Sequence, residues 1–216
     1  MGLKQVLGMK KKCFVASLVL ACIICSLAAC KPEQKQVVSL VIGSGSGNAV
    51  VLEKEEENYV LCTAAHVVGQ EPKVAVVDGM QVTVEEYYIS PNVDLAFLKV
   101  PIEETEQPYQ VTGMDTASFN ELSEGDGITI YGFWGGQEKR CKGSVLSCWI
   151  YMEDFGYHML WAKASDVKNG MSGCGVFDQQ GGFIGILCGG DGKEEVAVLP
   201  VSMIEAEWKN SGYGGR

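Results

Sequence analysis

The chain has 216 residues, 47% of them hydrophobic, with 27 glycines and a formal net charge of −10. That length and apolar content suit one or two domains with buried cores and exclude a disordered chain. The acidic balance disfavours nucleic acid and anionic lipid surfaces as partners, and mildly favours cationic substrates over anionic ones.

The first element in chain order is a targeting segment. Lys4, Lys10, Lys11 and Lys12 precede an uninterrupted apolar run from Cys13 to Ala29, which ends in "LAAC". A positive n-region followed by an h-region of this length is a secretory signal, and residues 1–29 are set apart from the fold. "LAAC" resembles the lipobox of bacterial lipoproteins. That resemblance implies cleavage before Cys30, lipidation of Cys30 and a short tether over 30–36. Seventeen apolar residues are also just long enough for an uncleaved anchor. In either case the positive flank stays inside, so the body is expected outside the cytoplasmic membrane, attached to it through its N-terminus. Cleavage leaves 13 Lys and Arg against 27 Asp and Glu, a net charge of −14.

Nine cysteines suggest a disulfide or metal framework until they are placed. Cys13, Cys22 and Cys25 belong to the leader and Cys30 to the lipid site. The remaining five (Cys62, Cys141, Cys148, Cys174 and Cys188) are odd in number and contain no CxxC. No metal site or cofactor is expected from them, and most should be buried thiols, with a Cys174–Cys188 bridge conceivable across a hairpin.

From Val37 onward short β-rich runs alternate with turn residues. "VVSLVI", "NAVVLE", "NYVLCT", "KVAVVD", "QVTVEEYY" and "DLAFLKV" read as six strands over 37–100. Residues 101–126 read as a polar linker. "GITIYGF", "CKGSVLSCWIY", "YHMLWAK", "CGVFD", "GFIGILC" and "EVAVLP" read as six more strands over 127–204, and a tail with a short helix from "VSMIEAEWK" occupies 205–216. Two successive six-strand sets predict an all-β protein of two antiparallel barrels, since closure removes the exposed edges that so many short strands would create.

The chemistry is found by elimination. "KNGMSGCGVF" places Ser172 in a glycine-framed turn, and a serine hydroxyl needs a base, which needs a carboxylate to fix its tautomer. Only His66 and His158 follow the leader. No histidine follows Ser172 and no aspartate precedes His66, so the orders serine–acid–histidine and aspartate–histidine–serine fail. The order that remains is His66, Asp94, Ser172. "LCTAAHVV" puts His66 just after a buried strand, and "SPNVDLAFLKV" puts Asp94 at the mouth of an apolar one. Gly170 leaves its turn free of a Cβ, so the backbone N–H groups of Gly170 and Ser172 can point inward as an oxyanion hole. His158, on "YHMLWAK", reads as a structural or surface residue.

"TAAHVV", "NVDLAFLKV", "GMSGCGVF", "GGFIGI" and "VLPVSMI", with "GSGSGNAVVL" and "LSEGDGITIYGFWGG", resemble the successive landmarks of trypsin-like serine proteases, closest to the bacterial HtrA/Deg protease domain. The likeness runs from about Gly43 to Ile204. It implies a double β-barrel with the active site in the cleft between barrels, polypeptide substrates and no cofactor. It also points to Asp166, six residues before the serine, together with Leu187 and Cys188, as lining for the pocket that receives the side chain at the cleaved bond. The chain departs from the pattern in three ways. It ends about twelve residues after Ile204 without a PDZ domain. Met171 stands where a polar residue usually precedes the serine, which argues against a zymogen switch based on a cut N-terminus. Cys174 replaces a usual glycine. The expected function is a membrane-tethered extracytoplasmic serine endopeptidase. The alternatives are a catalytically silent peptide-binding or scaffold lipoprotein, and a hydrolase that uses the same triad on esters or glycans.

Overall fold

The computed structural model describes residues 35–105 and 108–213. The leader at 1–29, Cys30 and most of the tether lie outside the described residues. No helix among the described residues is long and apolar enough to cross a membrane.

The first strand series forms β1 (Val37–Ile42), β2 (Gly45–Glu55), β3 (Asn58–Thr63), β4 (Val74–Val77), β5 (Met80–Thr83), β6 (Glu86–Ile89) and β7 (Ala96–Pro101). These make one antiparallel seven-stranded sheet of order β5-β4-β1-β2-β3-β7-β6. Six strands in a closed barrel were expected; the sheet has seven and its ladder stays open. The difference lies in "QVTVEEYY". Val84 N–H donates to the Lys73 carbonyl and Glu85 N–H to the Lys99 carbonyl, so the chain changes partners between these two residues. Only Val84 and Glu85 separate β5 from β6, which form opposite edges of the sheet. The sheet must therefore curl until its edges approach at this corner, giving a half-barrel without a closing ladder.

The second series gives β8 (Gly127–Trp134), β9 (Gln137–Met152), β10 (Tyr157–Ala164), β11 (Gly175–Phe177), β12 (Phe183–Gly190) and β13 (Glu195–Pro200). All six fall on the segments read from sequence, and they close into a barrel of order β10-β13-β12-β11-β8-β9. Two-residue turns join the hairpins where the sequence supplies left-handed backbone: Asp78–Gly79 (φ 49° and 87°) between β4 and β5, and Gly135–Gly136 (φ 59° and 75°) between β8 and β9.

Within the stretch read as a linker, residues 108–113 run along the first sheet. Gln110, Thr112 and Gly113 donate backbone hydrogen bonds to Lys35, Val51 and Leu52, and Tyr109 is buried with its N–H on the Tyr59 hydroxyl. The segment is a strap along the first sheet and carries the short helix α2 (Ala117–Asn120), numbered after α1 (Ala65–Val68), which follows β3.

The C-terminal helix α3 (Val201–Asn210) buries Val201, Ile204 and Trp208. Trp208 meets Phe97 of β7 edge-on, with ring centroids 5.1 Å apart. Burying each such side chain contributes roughly 1.5–3 kcal/mol. A helix that follows the last barrel strand is thereby fastened to the first sheet.

Candidate active site

His66 sits in the single turn of α1. Its neighbours Val67 and Val68 are buried and anchor the turn, while the His66 side chain is half exposed. Strand β2 passes close beneath. A Cβ on Gly45 would lie 2.1 Å from the Val67 carbonyl oxygen, and one on Gly47 would lie 2.7 Å from the Ser172 carbonyl oxygen and 2.9 Å from a Val67 methyl. The "GSGSG" run is therefore needed where β2 threads between the histidine turn and the serine turn, and Gly47 is where those two turns converge.

Asp94 closes a turn that begins at Ser90, whose hydroxyl accepts the N–H groups of Asn92 and Val93 at 3.1 and 3.2 Å. One Asp94 oxygen accepts the His66 backbone N–H at 3.0 Å; the other lies 2.7 Å from His66 Nδ1. With the proton on Nδ1, the ring donates to the carboxylate and Nε2 is left as a base. The hydrogen bond to the Asp94 carboxylate raises the His66 pKa above its ordinary 6.5, although burial works the other way.

Two further elements hold Asp94, and neither was legible as part of the site. Asp94 N–H donates to the Tyr157 hydroxyl of β10 at 2.9 Å, and burial pushes the Tyr157 pKa up to about 12, so the phenol stays neutral. Glu207 of α3, 6% exposed, accepts Asn92 Nδ2 at 3.1 Å and the Tyr88 hydroxyl at 2.7 Å. Burial alone would push the Glu207 carboxyl up; hydrogen bonds from Ser90, Tyr88, Asn92 and Asn210 outweigh it and hold the group below its usual range.

Ser172 lies in the turn between β10 and β11. Its carbonyl accepts the Asn48 N–H at 2.8 Å, Gly173 N–H donates to the Leu187 carbonyl at 2.7 Å, and Met171 N–H donates to the Lys168 carbonyl at 3.1 Å. The N–H groups of Gly170 and Ser172 donate to no carbonyl among the described residues. Ser172 Oγ and the His66 ring are likewise not hydrogen-bonded to each other among the described residues. The structure thus joins His66 to Asp94 directly and brings Ser172 to them through Gly47 and Asn48. Met171 is fully buried in the barrel core, which accounts for an apolar residue before the serine. Cys174 fills space that Gly132 leaves: a Cβ on Gly132 would come 2.3 Å from Cys174 Sγ.

A small cavity of about 60 Å³ beside Ser172 is lined by Val167, Leu187, Gly189, Gly190 and Val196, with Lys168, Lys193 and Glu195 also contributing. Asp166 and Cys188 are not part of this lining. Asp166 sits on an exposed turn at φ 63°, and Cys188 turns its Sγ toward the Asp94 carbonyl, 3.7 Å away. Cys62, Cys141, Cys148, Cys174 and Cys188 are all free thiols, so the conceivable Cys174–Cys188 bridge does not form. Burial raises the pKa of all five. No metal-holding cluster occurs among the described residues. His158 stacks on Trp149 at 5.3 Å on the barrel surface, away from the site.

The family model for the trypsin-like peptidase domain matches residues 45–186, a span that contains His66, Asp94 and Ser172. The chain belongs to that family. It is a serine protease. Among solved structures, the chain is similar to the Rv3671c protease of M. tuberculosis in its active form, at 20% identity and TM-score 0.65, over 83% of this chain and 82% of that one. It is similar to the HtrA-type protease AlgW with a tripeptide, at 20% identity and TM-score 0.65, over 84% and 62%. It is also similar to the MamO protease domain from Magnetospirillum magneticum, at 18% identity and TM-score 0.58, over 81% and 96%. At these identities the likeness is one of fold. No curated protein matches the chain by sequence.

Proposed function

We propose that this protease is an extracytoplasmic endopeptidase, tethered to a bacterial membrane through lipidated Cys30, that cleaves polypeptides through an acyl-enzyme on Ser172. The observation that carries the reading is the two-point hold of Asp94 on His66, with Nδ1 at 2.7 Å from the carboxylate and Nε2 left free. Ser172 Oγ attacks the scissile carbonyl while His66 Nε2 takes its proton. The N–H groups of Gly170 and Ser172 receive the oxyanion, and the imidazolium returns the proton to the leaving amine. Water then repeats the sequence and frees the acid product. The missing Ser172–His66 hydrogen bond is compatible with this, because such contacts commonly tighten only when substrate is bound.

The side chain before the cleaved bond enters the small cavity beside Ser172. Walls formed by Val167, Leu187 and Val196, with Asp166 outside, favour a small uncharged residue over Lys or Arg. Profiling a peptide library checks this, and cleavage chiefly after Lys or Arg refutes it.

The deciding experiment treats the domain beginning after Cys30, and its Ser172→Ala variant, with a fluorophosphonate and reads covalent addition by intact mass. Addition to the first and not the second supports an activated Ser172. No addition to a folded wild type, with peptides present, favours a silent peptide-binding module instead. For the tether, incorporation of labelled fatty acid that is lost in Cys30→Ala is the expected result, and equal membrane retention of both proteins argues for an uncleaved anchor.

A further inference from the structure

We propose that Trp134 is a positioning residue that sets the oxyanion hole from the opposite side of Gly170, and that it does so while forming a wall of the groove for the leaving-group side of the substrate. The inference rests on the preceding reading of Gly170 N–H as an oxyanion donor.

Gly170 has no side chain to hold it. It lies at φ 92°, and a Cβ built there would touch nothing within 4 Å. The Met171 N–H on the Lys168 carbonyl fixes the ends of its turn, and within that turn its orientation is set through the two peptide groups that flank it. On the N-terminal side, the Asn169 carbonyl accepts the Trp134 indole Nε1–H at 3.1 Å. On the C-terminal side, the Gly170 carbonyl faces Asn48 Nδ2 at 3.4 Å. In a planar trans peptide the carbonyl and the following N–H point in opposite directions. Holding the Asn169 carbonyl on the indole therefore sends the Gly170 N–H away from Trp134. Without that hydrogen bond the 169–170 peptide plane can turn over while the Lys168–Met171 bond holds the ends of the turn, because glycine accepts either orientation at low cost.

The two holding residues differ in character. Asn48 is fully buried and saturated: Oδ1 accepts the Phe133 N–H at 2.6 Å, Nδ2 also donates to the Phe133 carbonyl at 3.1 Å, its N–H holds Ser172 and its carbonyl accepts Thr63 Oγ1 at 2.6 Å. It is a rigid post. Trp134 is 44% exposed at the tip of the β8–β9 hairpin, and its indole hydrogen bond is reachable from solvent. It also lines a groove of about 620 Å³ together with Leu40, Val41, Gly47, Asn169 and Gly170. This groove and the small cavity share Asn169 and Gly170. A peptide with one residue in the cavity and its scissile carbonyl at Ser172 continues along the groove, against the indole. Substrate contact there shields the hydrogen bond to Asn169 from water and so strengthens the donor geometry at Gly170.

The test uses Trp134→Phe, which keeps a ring in the groove and removes the donor, and Trp134→His, which restores a ring N–H. Each is compared with wild type for fluorophosphonate labelling, for kcat and KM on a peptide substrate, for thermal midpoint, and for affinity toward a peptide boronate, whose tetrahedral adduct places an oxyanion in the hole. We expect Trp134→Phe to lose kcat and boronate affinity by the same factor, about tenfold to a hundredfold, with KM and melting temperature unchanged and partial recovery in Trp134→His. A wild type that labels, paired with a Trp134→Phe protein within twofold of it in kcat and boronate affinity, overturns the inference while leaving the triad reading intact. A loss confined to KM or to melting temperature overturns the positioning role, since a residue that only walls the groove or only supports the fold gives that signature. A wild type that does not label overturns the hole and this inference together.

Discussion

Asp94 grips His66 at two points, with Oδ1 on the backbone N–H at 3.0 Å and Oδ2 on Nδ1 at 2.7 Å. One contact fixes where the residue sits and the other fixes which ring nitrogen carries the proton. Asp94→Asn tests the second function. The carboxamide still accepts the backbone N–H, but its NH₂ group can now meet Nδ1 and favour the tautomer with the proton on Nε2. We expect kcat to fall about 10³–10⁴-fold, with little change in melting temperature at a pH where His66 is neutral, as read by steady-state kinetics and thermal melting. A loss under tenfold would mean that the carboxylate does not set the tautomer.

The raised pKa of His66 gives activity and stability opposite pH dependences. Catalysis needs the neutral ring, so the acid limb of kcat/KM should lie above the ordinary 6.5 and move down in Asp94→Asn. The folded pKa exceeds the unfolded one, so the stabilisation from the charged pair is complete below about pH 6.5 and is lost as pH rises through the folded value. The stability gap between wild type and Asp94→Asn, measured by urea unfolding, should therefore narrow as pH rises while wild-type activity increases. A gap that widens would reverse the assigned sign.

Glu207 is a carboxylate far from the chemistry that ties down the turn before Asp94. Glu207→Gln should cost about 2 kcal/mol at pH 7, in line with losing hydrogen bonds to a charged acceptor, and should lower kcat by loosening residues 90–94. Because the folded pKa is depressed, this stabilisation is present above the usual 4.5 and disappears as pH falls through the folded value. Urea midpoints of the two proteins should therefore converge as pH falls below the usual 4.5 and through the folded value. A constant difference down to that pH would assign the effect to packing.

Gly173 and Gly170 separate steric need from conformational need. Gly173 has φ 81°, and a Cβ there would lie 1.9 Å from the Asn48 carbonyl oxygen; Gly170 has φ 92° and open space. We expect Gly173→Ala to lose more than about 3 kcal/mol or fail to fold, and Gly170→Ala to fold with a loss of about 1–2 kcal/mol and reduced kcat. Circular dichroism and chemical denaturation distinguish the two outcomes, and equal stabilities would contradict the close approach at Gly173.

How much of this was legible in the sequence depends on the range over which each signal acts. Twelve strand segments and the order His66–Asp94–Ser172 are local patterns, and eleven of the twelve segments each became one strand. "QVTVEEYY" divided in two because its hydrogen-bond partners change from Lys73 to Lys99, a fact about chain neighbours that alternation cannot encode. Tyr157, Asn48 and Glu207 were silent for the same reason. Each acts on a residue 63 to 122 positions away, a reach that no local pattern reports. The pocket expectation at Asp166 came from the family resemblance and the six-residue spacing to Ser172; the structure places that residue on an exposed left-handed turn, and the small cavity beside Ser172 is lined without it.

The bond between Glu207 and Asn92 spans 115 positions, so the turn that presents Asp94 leans on the last helix of the fold. Transient undocking of α3 from the first sheet is therefore expected to loosen the triad before either sheet opens, which makes the site the first casualty of partial unfolding.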